Sequence, residues 1–290
     1  MTTVEPVLRK VKVNGAELAY WERGQRRDDR PSLYFVHATG FHGRVWDYHA
    51  EAFPEHHIVA LEQRGHGRSQ KLAVTDWHTF SEDQAAFVQA LGLQDLIGIG
   101  HSMGAHGLID GAAISGAFSR LVLLDPTVAA PEAYDEDHAW MFGDELHPAA
   151  KRRNVYASVE DMIARLRDKS SFPLFHPRIL RDYCQYGLER IESGEYVLAC
   201  PPEIEAHVYM SARTNGDVYD SARQLEIPVT VVRAMLPSPD TGPDFSSSPT
   251  WPGLVDAFPQ GRELYWPDCT HFIPMQKPDE VIEVIRQEGV

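Results

Sequence analysis

One serine lies between two glycines in the stretch GIGHSMGAHG, residues 98–107. Gly100 and Gly104 stand two positions before and two positions after Ser102. Glycine costs backbone entropy inside a regular element, so a pair around one side chain indicates a turn too tight for a Cβ atom. The flanking runs predict a buried strand at DLIGIG and a helix from Met103, which puts Ser102 at the corner between them. A hydroxyl in that position is exposed for nucleophilic attack, and the helix directs free N–H groups toward its target.

Two other interpretations of this stretch are less favoured. The serine could merely cap the helix, but the strand before it and the helix after it are the context that a nucleophile requires. The stretch could also be a dinucleotide-binding loop. It lacks the third small residue of that fingerprint, and it is not the first strand–helix turn of the chain. We therefore expect Ser102 to be a nucleophile.

A serine nucleophile needs a base from elsewhere in the fold. His271, in WPDCTHFIPMQKP, follows the last predicted strand and precedes the last predicted helix. It is therefore expected at the carboxyl edge of the sheet with Ser102, where parallel sheets bind ligands. Because an imidazole accepts a proton only when neutral, activity is predicted to rise from mildly acidic to mildly alkaline pH.

The elements that must position these residues alternate between strands and helices. Asn14-Gly15 separates VLRKVKV from AELAYWE and predicts a hairpin. Buried strands are predicted at SLYFVHA, HIVALEQ, DLIGIG and RLVLLDP, and a helix capped by Ser81 at FSEDQAAFVQALGL. Later strands are predicted at IPVTVVRA and RELYW, before a last helix from Pro278. This order predicts an α/β fold, with a mostly parallel central sheet and helices on both faces.

The strand pattern stops after the sixth strand and helices replace it. We predict a core made of residues 1–126 and 226–290, with residues 127–225, here called the insertion, forming an all-helical lid. The helices of the insertion are predicted after Pro131, at the capping box Ser158 to Asp161, from Pro177 and after Pro201-Pro202.

Four motifs occur in an order that resembles the α/β-hydrolase fold family. They are FVHATGF (35–41), LEQRGHGRS (61–69), GHSMG (100–104) and THFIPMQKPDEV (270–281). Ala38 and Glu62 depart from the family's usual glycine and aspartate. The resemblance implies a Ser-acid-His triad in which Ser102 attacks a carbonyl and His271 moves its proton. It also implies an oxyanion hole made by the backbone N–H groups of Thr39 and Met103.

The acid of the triad stays open at this stage. The resemblance implies an aspartate after the seventh strand, where the chain reads VVRAMLPSPDTGPDFSSSP and offers Asp240 and Asp244. Asp244 precedes His271 by 27 residues, close to the family's usual interval, and is favoured. Asp125, at the end of RLVLLDP, is the next candidate because some family members take their acid from that strand end. Asp240 is the third.

The resulting prediction is a serine carboxylesterase acting on small to medium, moderately apolar esters. Aromatic residues of the insertion could line its pocket: Trp140, Phe142, Tyr156, Phe172, Phe175, Tyr183, Tyr186 and Tyr209. The alternatives are a carbon–carbon bond hydrolase of keto acids, which would need a more cationic pocket, and a ligand receptor on a hydrolase scaffold. Arg165, Arg167, Arg178 and Arg181 could supply such cations, although a solvated helix face is their ordinary role.

Composition excludes several other classes. The 290 residues carry a net charge of −15, which argues against binding to nucleic acid or to an anionic membrane surface. Three widely spaced cysteines, no signal-peptide pattern and no membrane-spanning run predict a cytoplasmic protein without membrane insertion. HExxH and GxxxxGK motifs are absent, so neither a metal nor a cofactor is expected. The expected partner is a small-molecule substrate, and the expected state is a monomer or homodimer.

Overall fold

The computed structural model describes residues 5–134, 146–237 and 246–290. Its strands are β1 (Val7–Val13), β2 (Ala16–Arg23), β3 (Ser32–Val36), β4 (Ile58–Glu62), β5 (Leu96–His101), β6 (Phe118–Leu124), β7 (Val155–Tyr156), β8 (Leu188–Arg190), β9 (Tyr196–Leu198), β10 (Val229–Arg233) and β11 (Gly261–Tyr265). Eight of them form one sheet in the order β1-β2-β4-β3-β5-β6-β10-β11. The β1–β2 and β2–β4 pairs are antiparallel and the other pairs are parallel. The predicted mostly parallel sheet is confirmed.

The predicted hairpin joins β1 to β2. Val13 pairs with Ala16, and the two residues between them are the predicted turn. Asn14 and Gly15 both have positive φ, at 45° and 72°. A two-residue hairpin turn of this kind needs positive φ at both central positions, which Asn-Gly accepts at low cost.

The α-helices cover both faces of the sheet. They are α1 (Asp47–Ala50), α2 (His78–Ala90), α3 (Met103–Ser115), α4 (Val159–Leu166), α5 (Pro177–Tyr186), α6 (Pro202–Met210), α7 (Val218–Gln224), α8 (Ile273–Gln276) and α9 (Pro278–Gln287). On one face Tyr34 packs in an apolar cluster with residues of α2 and α3. On the other face its neighbour Phe35 packs in a cluster with α9 and with residues of the insertion. Successive strand residues point to opposite faces, so β3 contributes to both clusters. No helix in the described ranges is long and apolar enough to span a membrane.

The predicted cap of α2 is wrong. The helix begins at His78, and Ser81 lies buried within it, where its hydroxyl donates to Asp110 at 2.9 Å. Asp76 accepts the backbone N–H of His78 at 2.9 Å and so satisfies a free donor at the helix start. The apolar periodicity located the body of the helix but not its first turn.

The insertion contains three of the four predicted helices, α4, α5 and α6, and, in addition, a small sheet. Ser158 accepts the backbone N–H of Asp161 at 3.0 Å, which confirms the capping interaction at the start of α4. The prediction that strands are absent is wrong, because β7, β9 and β8 pair antiparallel in that order. These strands have only two or three residues, too few to display a two-residue period. At the position of the helix predicted after Pro131, the described residues form a 3-10 turn, Pro131–Tyr134.

Three strand ends bring the chemistry-bearing residues to one edge of the sheet. Neighbouring parallel strands β5 and β6 end at His101 and Leu124, so Ser102 and Asp125 are the first residues beyond that edge. The carboxyl end of β11, at the same edge, leads through a short loop to His271.

Candidate active site

Ser102 occupies a sharp turn between β5 and α3. Its φ and ψ are 57° and −122°, a backbone conformation that residues other than glycine rarely adopt. A Cβ atom on Gly100 would lie 2.6 Å from the Cα of Ala105, and one on Gly104 would lie 2.5 Å from the carbonyl oxygen of His37. The absence of a side chain at Gly100 thus allows β5 to pack closely against α3. The absence of one at Gly104 allows α3 to pack closely against the chain after β3.

His271 lies within hydrogen-bond distance of this serine. Its Nε2 is 2.9 Å from Ser102 Oγ, although the two residues are 169 positions apart. The backbone N–H of His271 donates to the carbonyl of Ser246 at 2.8 Å. Its carbonyl accepts a hydrogen bond from Nε2 of His101, the residue before the serine, at 2.9 Å. Both side chains are nearly buried, with Ser102 6% and His271 8% exposed.

Asp125 lies on the opposite side of the imidazole. Its Oδ2 is 2.6 Å from His271 Nδ1, and the residue is fully buried. Its Oδ1 accepts hydrogen bonds from the backbone N–H of Ala234 at 2.9 Å and from the hydroxyls of Ser248 and Thr250 at 2.6 and 3.2 Å. Like Ser102 it has a positive φ, 45°. Strained backbone of this kind is frequent at active sites. Asp240 and Asp244, the other two candidate acids, lie outside the described residues.

The donor and acceptor types determine where the hydrogens lie in the hydrogen bonds between Asp125, His271 and Ser102. A carboxylate only accepts hydrogen bonds, so Nδ1 of His271 carries the hydrogen that points to Asp125. In the neutral imidazole Nε2 then has a free lone pair, which accepts the hydroxyl hydrogen of Ser102. This arrangement can remove a proton from the serine as its oxygen attacks an electrophile.

The two residues predicted to form the oxyanion hole are neighbours in space. The hydroxyl of Thr39 donates to the sulfur of Met103 at 3.3 Å, so the loop after β3 touches the first turn of α3. His37 fixes that loop, because its Nε2 accepts the backbone N–H of Gln63 at 3.0 Å. The Gln63 side chain in turn donates to the His37 carbonyl at 2.8 Å. Burial lowers the pKa of His37 well below its usual value, so this histidine stays neutral as an acceptor.

A sequence model described as the alpha/beta hydrolase fold matches residues 31–278. The chain belongs to the α/β-hydrolase fold family. Lipase LipV of Mycobacterium tuberculosis is 28% identical to this hydrolase over 266 residues, covering 87% of this chain and 90% of the lipase. An N-formylmaleamate deformylase of Pseudomonas putida is 32% identical over 157 residues, covering 48% of this chain and 56% of the deformylase.

Solved structures show the same fold at lower identity. An E-2-(acetamidomethylene)succinate hydrolase superposes with a TM-score of 0.75 at 19% identity, over 97% of this hydrolase and 98% of that chain. A thermophilic esterase from Thermogutta terrifontis, solved with malate bound, superposes with a TM-score of 0.66 at 22% identity, over 97% of each chain. At these identities the likeness concerns the fold.

An aromatic surface adjoins the imidazole of this hydrolase. The ring of Phe272 lies 5.5 Å from that of His271 and 5.3 Å from that of Phe175. Phe41, two residues after Thr39, lies 4.8 Å from the ring of Tyr183. Phe175 and Tyr183 belong to the insertion, which therefore packs against the core beside the site. Trp140 and Phe142, two other aromatic residues named from the sequence, lie outside the described residues.

The insertion also brings an ion pair to the loop of Thr39, between a half-buried arginine and a buried glutamate. Arg152 pairs with Glu205 of α6 and donates to the hydroxyl of Tyr183 at 3.1 Å. A Cβ atom on Gly40 would lie 2.8 Å from Glu205 Oε1 and 3.4 Å from a guanidinium nitrogen of Arg152. The pair is neutral overall, so it adds no net positive charge beside the site.

The four arginines that the sequence offered as pocket cations lie on the surface, and each is paired with a carboxylate. Arg165 pairs with Asp161, Arg167 with Asp168, Arg178 with Glu51 and Arg181 with Glu160. Their side chains are 43% to 65% exposed. They form the solvated helix face that is their ordinary role.

Neutral histidines surround the site. Burial lowers the pKa of His42 to about 3 and that of His66 to about 4. Burial and the neighbouring His271 lower the pKa of His101 well below its usual value. Across the described part of the chain, no group of three His, Cys, Asp or Glu side chains is arranged to hold a metal ion.

Two residues next to the reacting groups were not singled out from the sequence. His101 holds the carbonyl of His271, and Thr127 places its Oγ1 3.0 Å from Ser102 Oγ. Thr127 follows Asp125 by two positions at the end of β6. The signal that could have identified Thr127 is its position just after the carboxyl end of β6, which lies beside the end of β5.

Proposed function

We propose that this hydrolase is a serine carboxylesterase that cleaves small to medium, moderately apolar esters through an acyl-enzyme intermediate. The observation that carries the proposal is the continuous contact from Ser102 Oγ through His271 to Asp125, at 2.9 and 2.6 Å. These three residues would be the nucleophile, the general base and the acid that orients the base. Lipase and esterase relatives support an ester as the substrate.

In the first half of the reaction Ser102 Oγ attacks the ester carbonyl while its proton passes to Nε2 of His271. Asp125 holds the imidazole in the required tautomer and stabilises the imidazolium that forms. The carbonyl oxygen becomes negative, and the backbone N–H groups of Thr39 and Met103 would stabilise it. One such donor is typically worth about 3 kcal/mol of barrier. His271 then protonates the departing alcohol.

In the second half water takes the place of the alcohol. His271 removes a proton from the water, which attacks the acyl-enzyme carbonyl, and the same histidine returns the proton to Ser102 Oγ. The acid is released and the resting hydrogen bonds are restored. Both halves use the same two donors for the oxyanion.

We assign the acid to Asp125 and no longer favour Asp244. The reason is that Nδ1 has a single hydrogen, and Asp125 Oδ2 accepts it at 2.6 Å. The other oxygen of Asp125 accepts three hydrogen bonds. These donors hold the carboxylate in one orientation.

We further propose that the insertion, residues 127–225, acts as the lid of the core formed by residues 1–126 and 226–290. Aromatic contacts between Phe41, Phe175 and Phe272 support an apolar surface for the substrate. The neutral Arg152–Glu205 pair and the surface position of the other four arginines give no support to a cationic pocket for keto acids. Unpaired, buried cysteines fit the predicted cytoplasmic location.

The test is the hydrolysis of p-nitrophenyl acetate and butyrate by the wild-type protein and by Ser102→Ala. We expect turnover by the wild type and a loss of more than about 10³-fold in the variant. Ser115→Ala, at the other end of α3, is the matched control and should retain activity. Equal turnover by Ser102→Ala would contradict the proposal. A keto-acid ring-fission product that reacts much faster than either ester would instead favour carbon–carbon hydrolysis.

A further inference from the structure

Thr127 contacts Ser102 through both its side chain and its backbone. Its Oγ1 lies 3.0 Å from Ser102 Oγ, and its backbone N–H donates to the Ser102 carbonyl at 3.3 Å. The nucleophilic oxygen therefore has two partners, His271 on one side and Thr127 on the other.

The number of hydroxyl hydrogens determines which residue is the donor in the hydrogen bond between Ser102 and Thr127. Ser102 has one hydroxyl hydrogen, and the free lone pair of His271 Nε2 takes it in the resting state. The hydrogen between the two hydroxyl groups must then come from Thr127. Thr127 is thus a donor, and Ser102 Oγ accepts from it while donating to His271.

The position of Thr127 is fixed from behind by His106. Nδ1 of this histidine lies 2.8 Å from the Thr127 carbonyl, which can only accept, so Nδ1 is the donor. The His106 ring is buried and packs edge-on against Trp77 at 4.9 Å. A hydroxyl on a segment held in this way is pre-organised, because little entropy is lost in aligning it during the reaction.

We propose that Thr127 is a further catalytic residue, whose hydroxyl donates to Ser102 Oγ whenever that oxygen carries negative charge. This inference rests on the proposed esterase function. In acylation the Ser102 O–H bond breaks, its proton moves to His271 Nε2, and the Oγ–carbon bond forms. In deacylation the Oγ–carbon bond breaks and the proton returns from Nε2 to Oγ. Thr127 keeps its own proton throughout, and its hydrogen bond strengthens as charge develops on Oγ at each step.

The experiment compares Thr127→Val, which keeps the branched shape but lacks the hydroxyl, with Thr127→Ser, which keeps the hydroxyl but lacks the methyl group. Three rates are measured: the second-order rate of labelling by a fluorophosphonate, and the rates of the burst phase and of the steady-state phase with p-nitrophenyl acetate. Because a hydrogen bond to a charged oxygen is lost, Thr127→Val should slow labelling, acylation and deacylation each by about 10-fold or more. Thr127→Ser should stay within about threefold of the wild type, and KM should change little in either variant.

Wild-type rates in Thr127→Val would overturn the proposal. So would a slowing of Thr127→Ser as large as that of Thr127→Val, because a variant that keeps the hydroxyl would then be as impaired as one that lacks it. Thr127→Ala serves as a second hydroxyl-free variant should Thr127→Val fail to fold, as judged by its thermal melt. Failure of the esterase proposal has a different signature, since the wild-type protein would then not be labelled, or Ser102→Ala would be labelled equally well. That outcome removes the role of Thr127 together with the proposed function.

Discussion

Asp125 Oδ2 lies 2.6 Å from Nδ1 of His271, although the two residues are 146 positions apart in the chain. The contact follows from the strand order. β6 lies beside β10, and the backbone N–H of Asp125 donates to the carbonyl of Val232 at 2.7 Å. Ser248 and Thr250, from the segment that follows β10, then reach back to the same carboxylate. The segment after the seventh strand of the main sheet thus holds the Asp125 carboxylate at the end of the sixth.

Asp125→Asn should lower kcat by about 10⁴-fold, because the amide cannot hold the required tautomer of His271. Asp244→Asn is the matched control and should retain activity within a few-fold. Both are measured as steady-state hydrolysis of p-nitrophenyl butyrate, with thermal melts to verify folding. The reverse pattern, with Asp244→Asn inactive and Asp125→Asn active, would restore the assignment that the sequence favoured.

The choice between Asp125 and Asp244 shows what chain spacing cannot reveal. An interval of 27 residues between Asp244 and His271 is close to the family's usual interval, but it carries no information about which strand ends are adjacent in space. Asp125 and Ser102 follow neighbouring strands, and that adjacency depends on pairing between strands distant in sequence. Ser102 and His271 have clearer signals in the sequence. One lies in a turn with a local glycine signature, and the other lies between the last strand and the last helices.

Short elements and helix starts were the other weak points. The strands of the insertion contain two or three residues each, so the alternation that identifies a strand has no room to appear. Ser81 matched the preference for a cap, but Asp76, two residues before the first residue of α2, supplied the acceptor instead. Long apolar strands and the Asn14-Gly15 hairpin were predicted correctly because their signals are local and strong.

Gly104→Ala should abolish esterase activity. Its new Cβ atom would lie 2.5 and 2.7 Å from the carbonyl oxygens of His37 and Val36, so the chain leading to Thr39 must move away from α3. Gly116→Ala is the control at the other end of the same helix. There no atom lies within 4 Å, but φ is +62°, so a cost of about 1 kcal/mol in stability with full activity is expected. Full activity in Gly104→Ala would show that this close approach is not needed.

Glu205→Gln should destabilise the fold by about 3 kcal/mol, because it leaves the charge of Arg152 without its buried partner. Glu203→Gln, on the exposed side of the same helix, should change stability by less than about 0.5 kcal/mol. Urea unfolding measures both. If the two variants have the same unfolding free energy, the Arg152–Glu205 pair does not stabilise the contact between the insertion and the loop of Thr39.

Acid should destabilise the fold through buried histidines that lie outside the triad. Burial lowers the pKa of His42 and His49 to about 3 and that of His66 to about 4, against about 6.5 in the unfolded chain. Below pH 6.5 the unfolded chain therefore binds more protons, and the free energy of unfolding falls as pH falls. Buried carboxyls act in the opposite direction, because burial raises the pKa of Asp182 to about 6 and also raises that of Asp47, Glu62 and Glu205.

We expect the free energy of unfolding in urea to be lower at pH 5 than at pH 7 by about 2 kcal/mol or more. His66→Asn should reduce this difference, because it removes one of the buried groups that must be charged on unfolding. An unfolding free energy at pH 5 equal to or above that at pH 7 would contradict the account of neutral buried histidines.

The most direct test of the central claim is to identify the residue that a fluorophosphonate modifies. The protein is labelled, digested and mapped by mass spectrometry, with Ser102→Ala and Asp125→Asn treated in parallel. The account predicts one modified residue, Ser102, with no labelling in Ser102→Ala and strongly slowed labelling in Asp125→Asn. Modification of another serine, or undiminished labelling of Ser102→Ala, would contradict it.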